Sequence, residues 1–163
     1  MKAIVCVDKN WGIGYRGELL QRIPEDMGFF KKMTMGKVVV MGRRTFESLP
    51  QKKPLLDRVN IVLSQSGKLC EQGIIICASW EQLQQELKKY PSDNIFVIGG
   101  EKVYKDLLPF CKEAYVTKID RVYPADKFFP NLDRTGKWKL IAQSDWKIWE
   151  GTRYCFTKYS KEG

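Results

Sequence analysis

The sequence predicts an α/β fold: a single domain, residues 1–163, on a mixed, mostly parallel eight-stranded sheet with about four flanking helices and a C-terminal antiparallel hairpin. Three observations predict it. Six short apolar runs rich in β-branched residues recur between residues 3 and 119. Helical stretches lie between them, and strands alternating with helices imply crossovers in a parallel sheet. The final third then changes to an alternation of apolar and polar residues, the mark of strands with one wet face.

The six runs are AIVCVD (3–8), VVVM (38–41), VNIVL (59–63), IIIC (74–77), IFVI (95–98) and AYVTKI (114–119). Their near-continuous hydrophobicity suits strands covered on both faces. Helices are expected at 25–35, 43–49, 80–89 and 101–108. Alternating segments near 138–146 and 152–159, with Glu150-Gly151 between them, read as the closing hairpin. No internal repeat, linker or low-complexity tract interrupts the chain.

Composition narrows the chemistry. The chain contains no histidine, which removes Ser-His-Asp triads, Cys-His dyads and the commonest zinc sites, and no metal site is expected. Five cysteines lie far apart without a C-x-x-C pair, as free thiols of a reducing compartment do. The opening residues meet Asp8 too soon for a signal peptide, and no apolar run is long enough for a membrane span, so a cytoplasmic protein is expected. The net charge of +9 is scattered along the chain. It fits a polyanionic small ligand better than a clustered nucleic-acid face.

Gly12-Ile13-Gly14-Tyr15-Arg16-Gly17 spells G-x-G-x-x-G after the first strand. The dinucleotide fingerprint needs a helix opening on those glycines, and Pro24 leaves no room for one. The segment reads instead as a glycine-rich loop, a solvated connection or a mobile flap over a site.

Pro24-Glu25-Asp26 opens a helix, where proline and acidic residues are ordinarily favoured. Asp26, however, shares a helix face with Phe30, flanked by Phe29 and Met33. A carboxylate on an apolar stripe is costly unless paired or employed, and burial there raises its pKa. Two strand-to-helix junctions suit anions: Gly42 followed by Arg43-Arg44-Thr45, and Gly99-Gly100 followed by Glu101-Lys102-Val103-Tyr104. Either alone is explained by a turn glycine. Together they fit a ligand with two separated phosphate groups, as in NADP, with the loop Ser64-Gln65-Ser66-Gly67-Lys68 offering further donors. Thr117 reads by default as a β-favouring residue and Arg58 as a surface charge, or as a bidentate clamp for a carboxylate.

The ordered landmarks AIVCVD, GIG, IPEDMGFFKKMT, VVVMGRRTFESL, RVNIVLS, IFVIGGEKVYKDLLP, AYVTKID and DKFFP span essentially the whole chain, which resembles the dihydrofolate reductase family. The resemblance implies reduction of 7,8-dihydrofolate to tetrahydrofolate by hydride from NADPH, in a monomer that antifolate inhibitors would bind. It implies a catalytic group of Asp26, Thr117 and Tyr104, with Asp26 holding the pterin's N3 and 2-amino edge. Ile4, Cys6, Met27, Phe30, Leu49, Leu55 and Ile98 would line the substrate pocket, and Arg58 would clamp the glutamate carboxylate. Cys6, Ile13 and Gly14 would meet the nicotinamide. Gly42, Arg43, Arg44 and Thr45 would hold phosphates, with Leu63, Ser64, Gln65 and Ser66 on the adenosine side. Ile98, Gly99, Gly100, Glu101, Lys102, Val103 and Tyr104 would pack along the cofactor.

The chain departs from the family pattern in three places. Leu19-Leu20-Gln21 stands where Leu-Pro-Trp is usual, Leu55-Leu56-Asp57 where Leu-Pro-Gly is usual, and Cys6 where alanine is common. Three other readings compete with dihydrofolate reduction: a reductase of the same fold acting on a riboflavin-pathway pyrimidine, a basic nucleic-acid-binding module, and a thiol-based redox protein. Asp26 with Arg58 favours folate over the pyrimidine, and no cysteine carries a redox motif.

Overall fold

The structure is a computed structural model that describes residues 1–66 and 73–162. Gly67 and Lys68 of the proposed phosphate loop, and Cys70, lie outside the described residues. The first half comprises β1 (Lys2–Val7), β2 (Gly12–Tyr15), β3 (Glu18–Leu19), α1 (Pro24–Thr34), β4 (Val38–Gly42), α2 (Arg43–Glu47) and β5 (Val59–Leu63). The second comprises β6 (Ile74–Cys77), α3 (Trp80–Leu87), β7 (Ile95–Gly99), α4 (Glu101–Leu107), β8 (Glu113–Ile119), β9 (Lys127–Phe128), β10 (Trp138–Gln143), β11 (Lys147–Trp149) and β12 (Thr152–Lys161).

Eight strands lie in the order β10-β12-β8-β1-β7-β4-β5-β6, and β11 also pairs with β12. The pairs from β8 to β6 are parallel, and those made by β12 are antiparallel. Strand β4 shows why its run is continuously apolar. Val38 and Val40 enter one core, whereas Val39 and Met41 enter the other on the opposite sheet face. The first core holds Leu83, Leu107, Phe129 and Tyr159. The second is covered by Phe29, Phe30 and Met33 of α1, which accounts for that helix's apolar stripe.

Two expectations are corrected. The segment near 138–146 is not one strand: β10 ends at Gln143, Ser144 donates its backbone N–H to Phe156, and β11 resumes along the same edge of β12. A bulge between Leu140 and Ala142 marks the same irregular edge, which limits edge-to-edge association. The turn itself stands as read, with Glu150 and Gly151 at φ 48° and 76°, the type I′ arrangement. The glycine-rich loop is also not purely a connection. Gly12–Tyr15 pairs with β3 and with β9, more than a hundred residues away, as a separate three-stranded sheet.

Candidate active site

Strands β1 and β8 run in parallel register with Cys6 beside Thr117, so both side chains project from one sheet face. The first turn of α1 lies over that face and delivers Asp26. The Thr117 hydroxyl donates to Asp26 Oδ1 at 2.6 Å, joining residues 91 positions apart. Thr117 is buried and Asp26 half-buried. Burial pushes the Asp26 carboxyl above the ordinary range, and polar contacts from Thr117 and Cys6 oppose that rise. Burial and the Asp26 charge push the Cys6 thiol well above its usual value.

Asp26, Cys6 and Met27 share a cleft with Ile13 and with Leu19, Leu20 and Gln21, the segment that departs from the family pattern. Beside it lies an apolar cluster. Phe30, Leu49, Leu55 and Ile98, all partly buried, pack against the cluster that contains Ile4. Met27 is 45% exposed and stands outside that cluster. The Ile4 carbonyl is held from behind by the buried Tyr104 hydroxyl, which donates to it at 2.7 Å. Burial raises the Tyr104 pKa, so the phenol stays protonated as a donor.

Arg58 follows Leu55 of this cluster and reaches the last residue of α1. Its Nε donates to the Leu56 carbonyl at 2.9 Å and its Nη1 to Thr34 Oγ1 at 3.2 Å. Burial lowers its pKa, and the neighbouring Asp57 counters that effect. No carboxylate forms a salt bridge with the Arg58 guanidinium among the described residues.

The two glycine junctions stand side by side, because β4 and β7 are paired neighbours. A Cβ on Gly42 would lie 3.2 Å from Val103 Cγ2, and one on Gly99 or Gly100 would lie 3.4 Å from Thr45 Oγ1. Gly99 has φ +128°, a conformation that L side chains rarely adopt. The two arginines differ. Arg43 Nε bonds Glu47 Oε1 at 2.9 Å, whereas Arg44 is exposed with no ion-pair partner among the described residues. Lys102 is taken by Asp106 at 2.7 Å and points to solvent. Ser64 is buried with its hydroxyl 3.3 Å from that of Ser66, and Gln65 is exposed. Gly14 lies in β2, and Leu63 packs at the edge of the first core.

Two functional-looking residues, Asp8 and Asn60, escaped the sequence reading, and Glu101, expected along the cofactor, makes a further tie. Buried Asp8 accepts from the backbone N–H groups of Asn10, Gly12 and Tyr123, anchoring both arms of the small sheet. Glu101 accepts from Phe128 N at 2.6 Å and so ties the start of α4 to β9. Asn60 clasps the segment that carries Arg58. Each partner is a backbone group, for which a side-chain motif gives no signal.

Fold and site together define a small α/β protein with one raised-pKa acid in a cleft, an arginine pinned beside an apolar cluster and two adjacent glycine-lined strand-to-helix junctions. The family model described as Dihydrofolate reductase matches residues 1–161, and the chain belongs to that family. It is 36% identical over 157 residues to the dihydrofolate reductase of Neisseria meningitidis serogroup B, covering 96% of this chain and 94% of that one. Identity with the Bacillus subtilis dihydrofolate reductase is 34% over 166 residues, covering 98% and 93%. A structure of the Enterococcus faecalis enzyme complexed with NADP(H) and RAB-propyl superposes with a TM-score of 0.88 at 31% identity, covering 99% of this chain and 96% of that one.

Proposed function

We propose that this chain reduces 7,8-dihydrofolate to 5,6,7,8-tetrahydrofolate at the expense of NADPH, supplying one-carbon metabolism. The observation that carries the reading is Asp26, paired with Thr117, in the same cleft as Ile13 and Gln21, beside an apolar cluster whose Leu55 leads to Arg58. The acid suits the N3 and 2-amino edge of a pterin, the apolar walls suit the pterin and benzoyl rings, and the arginine suits a glutamate carboxylate.

The residues present also fit NADPH. Two adjacent glycine junctions offer backbone N–H groups, Arg44 has no ion-pair partner among the described residues, and Ser64, Gln65 and Ser66 supply hydroxyl and amide donors. When bound, the nicotinamide supplies the hydride for pterin C6. Cys6 and Ile13 line the cleft where, with Gly14, they would meet its nicotinamide end, and Arg43, Arg44 and Thr45 with residues 99–104 would hold the rest. Tyr104 fixes the Ile4 carbonyl against the pterin's other edge.

Asp26 orients the ring, and its charge raises the basicity of the bound pterin. Thr117 keeps the carboxylate aimed. The carboxylate addresses the ring edge away from N5, so a water admitted past Leu20 and Gln21 delivers the N5 proton. Acid, clamp and anion junctions all come from one chain, which supports a monomeric, single-domain enzyme. The thiol-redox reading loses ground, since burial raises Cys6, Cys77 and Cys155 and pushes Cys111 up to about 11, leaving protonated thiols. Cys6, Cys77, Cys111 and Cys155 are free thiols, which suits a reducing, cytoplasmic setting; among the described residues no helix is long and apolar enough to cross a membrane.

The test is loss of reduced-nicotinamide absorbance with purified protein, NADPH and dihydrofolate, against a control without folate. Folate-dependent oxidation supports the proposal. Oxidation only with the riboflavin-pathway pyrimidine would move the assignment to that reductase.

A further inference from the structure

We propose that Asn60 is the positioning residue of the carboxylate clamp, locking the 55–58 segment so that Arg58 presents its free N–H groups to the substrate. The inference rests on the reading of Arg58 as that clamp. Asn60 sits in β5, is 2% exposed, and spends its whole side chain on this segment. Its Oδ1 accepts from Leu55 N at 2.9 Å, while its Nδ2 donates to the Leu55 carbonyl at 2.9 Å and the Arg58 carbonyl at 3.0 Å. The pattern fixes the amide's orientation, because a flip would set the Nδ2 donor against an N–H and the acceptor against two carbonyls.

The segment needs such a clasp. Asp57 takes φ 59°, a left-handed conformation disfavoured for a residue with a Cβ, so local sequence does not hold the turn. The Asp57 carbonyl accepts from Gly36 N at 2.9 Å, a second tie to the end of α1. Clasping both ends places Leu55 against the apolar cluster and sets the direction in which Arg58 leaves the backbone. The guanidinium is then pinned by the Leu56 carbonyl and by Thr34, itself anchored by donating to the Phe30 carbonyl at 2.8 Å. Two of the five guanidinium N–H groups are used, and the second on Nη1 and both on Nη2 remain, so the Nη1–Nη2 edge can meet a carboxylate.

The test compares dihydrofolate with 6-methyl-7,8-dihydropterin, which has no glutamate, in Asn60→Ala, Asn60→Ser and Arg58→Ala. The expected result for the Asn60 variants is a KM for dihydrofolate raised about tenfold, as loss of a charge-assisted bond implies, with kcat and the KM for the tail-less pterin within about twofold. Arg58→Ala should show the same discrimination, and the double variant should be no worse than Arg58→Ala alone. Equal losses on both substrates would make Asn60 merely structural and overturn the proposal, as would unchanged kinetics. If Arg58→Ala itself fails to discriminate, the clamp reading falls first. Should neither Asn60 variant fold, Thr34→Val removes one guanidinium pin without touching the turn, and an unchanged KM for dihydrofolate there would count against a positioned clamp.

Discussion

At the scale of the residue, Asp26 carries opposite consequences for activity and stability. Its pKa is raised by burial, so the native state holds a proton that the unfolded chain, with an ordinary value of 3.8, has already released. Stability therefore falls as pH rises from that value through the raised one, and at neutral pH the full cost of a buried charge is present. Asp26→Asn should melt above the unmutated protein at pH 7, with the gap closing below about pH 3.8 in a calorimetric pH series. The same variant should lose about 10² to 10⁴ in kcat at pH 7 and partly recover in acid, where solution supplies protonated substrate. Unchanged turnover at pH 7 would remove Asp26 from the mechanism. The carboxylate was legible as an acid on an apolar helical stripe. Its partnership with Thr117 followed from the family resemblance and not from local pattern, because it arises from the packing of α1 over β8. Nothing in the local sequence of Asn60 or Asp8 distinguishes a backbone clasp from an ordinary polar residue.

At the scale of the element, the strand-to-helix junctions were readable because glycine, arginine and helix start fall together in a short window. Their adjacency came only with the pairing of β4 and β7. The structure also separates two arginines that the sequence leaves equivalent. Arg43 is engaged by Glu47, whereas Arg44 has no ion-pair partner among the described residues. Arg44→Ala should narrow the preference for NADPH over NADH by roughly tenfold or more in kcat/KM, and Arg43→Ala by less. Equal effects of the two substitutions would show that the Glu47 pair yields to the cofactor. The small sheet was missed for a physical reason. Its strands are only two to four residues long, and β2 depends on β9 and on Asp8 rather than on its own pattern.

At the scale of the whole molecule, the strand runs, the helix positions and the β11–β12 turn followed from periodicity and turn chemistry. The order of the strands, and the break that splits the outer edge into β10 and β11, did not. The last third is tied to the site through Phe129, whose ring lies 6.1 Å from that of Trp11 and 4.8 Å from that of Tyr104. Phe129 is 2% exposed, so Phe129→Ala should cost about 3–5 kcal/mol in urea unfolding. A loss below 1 kcal/mol would mean that this core is not continuous with the site. The central claim is that one chain brings a nicotinamide and a pterin together for hydride transfer, with the proton arriving from water. Its most direct measurement follows deuterium from NADPH labelled at the transferable C4 position into the product of dihydrofolate by NMR. The account predicts deuterium at C6 of tetrahydrofolate, with the N5 hydrogen drawn from solvent. Product lacking the label, or bearing it at another carbon, would contradict it.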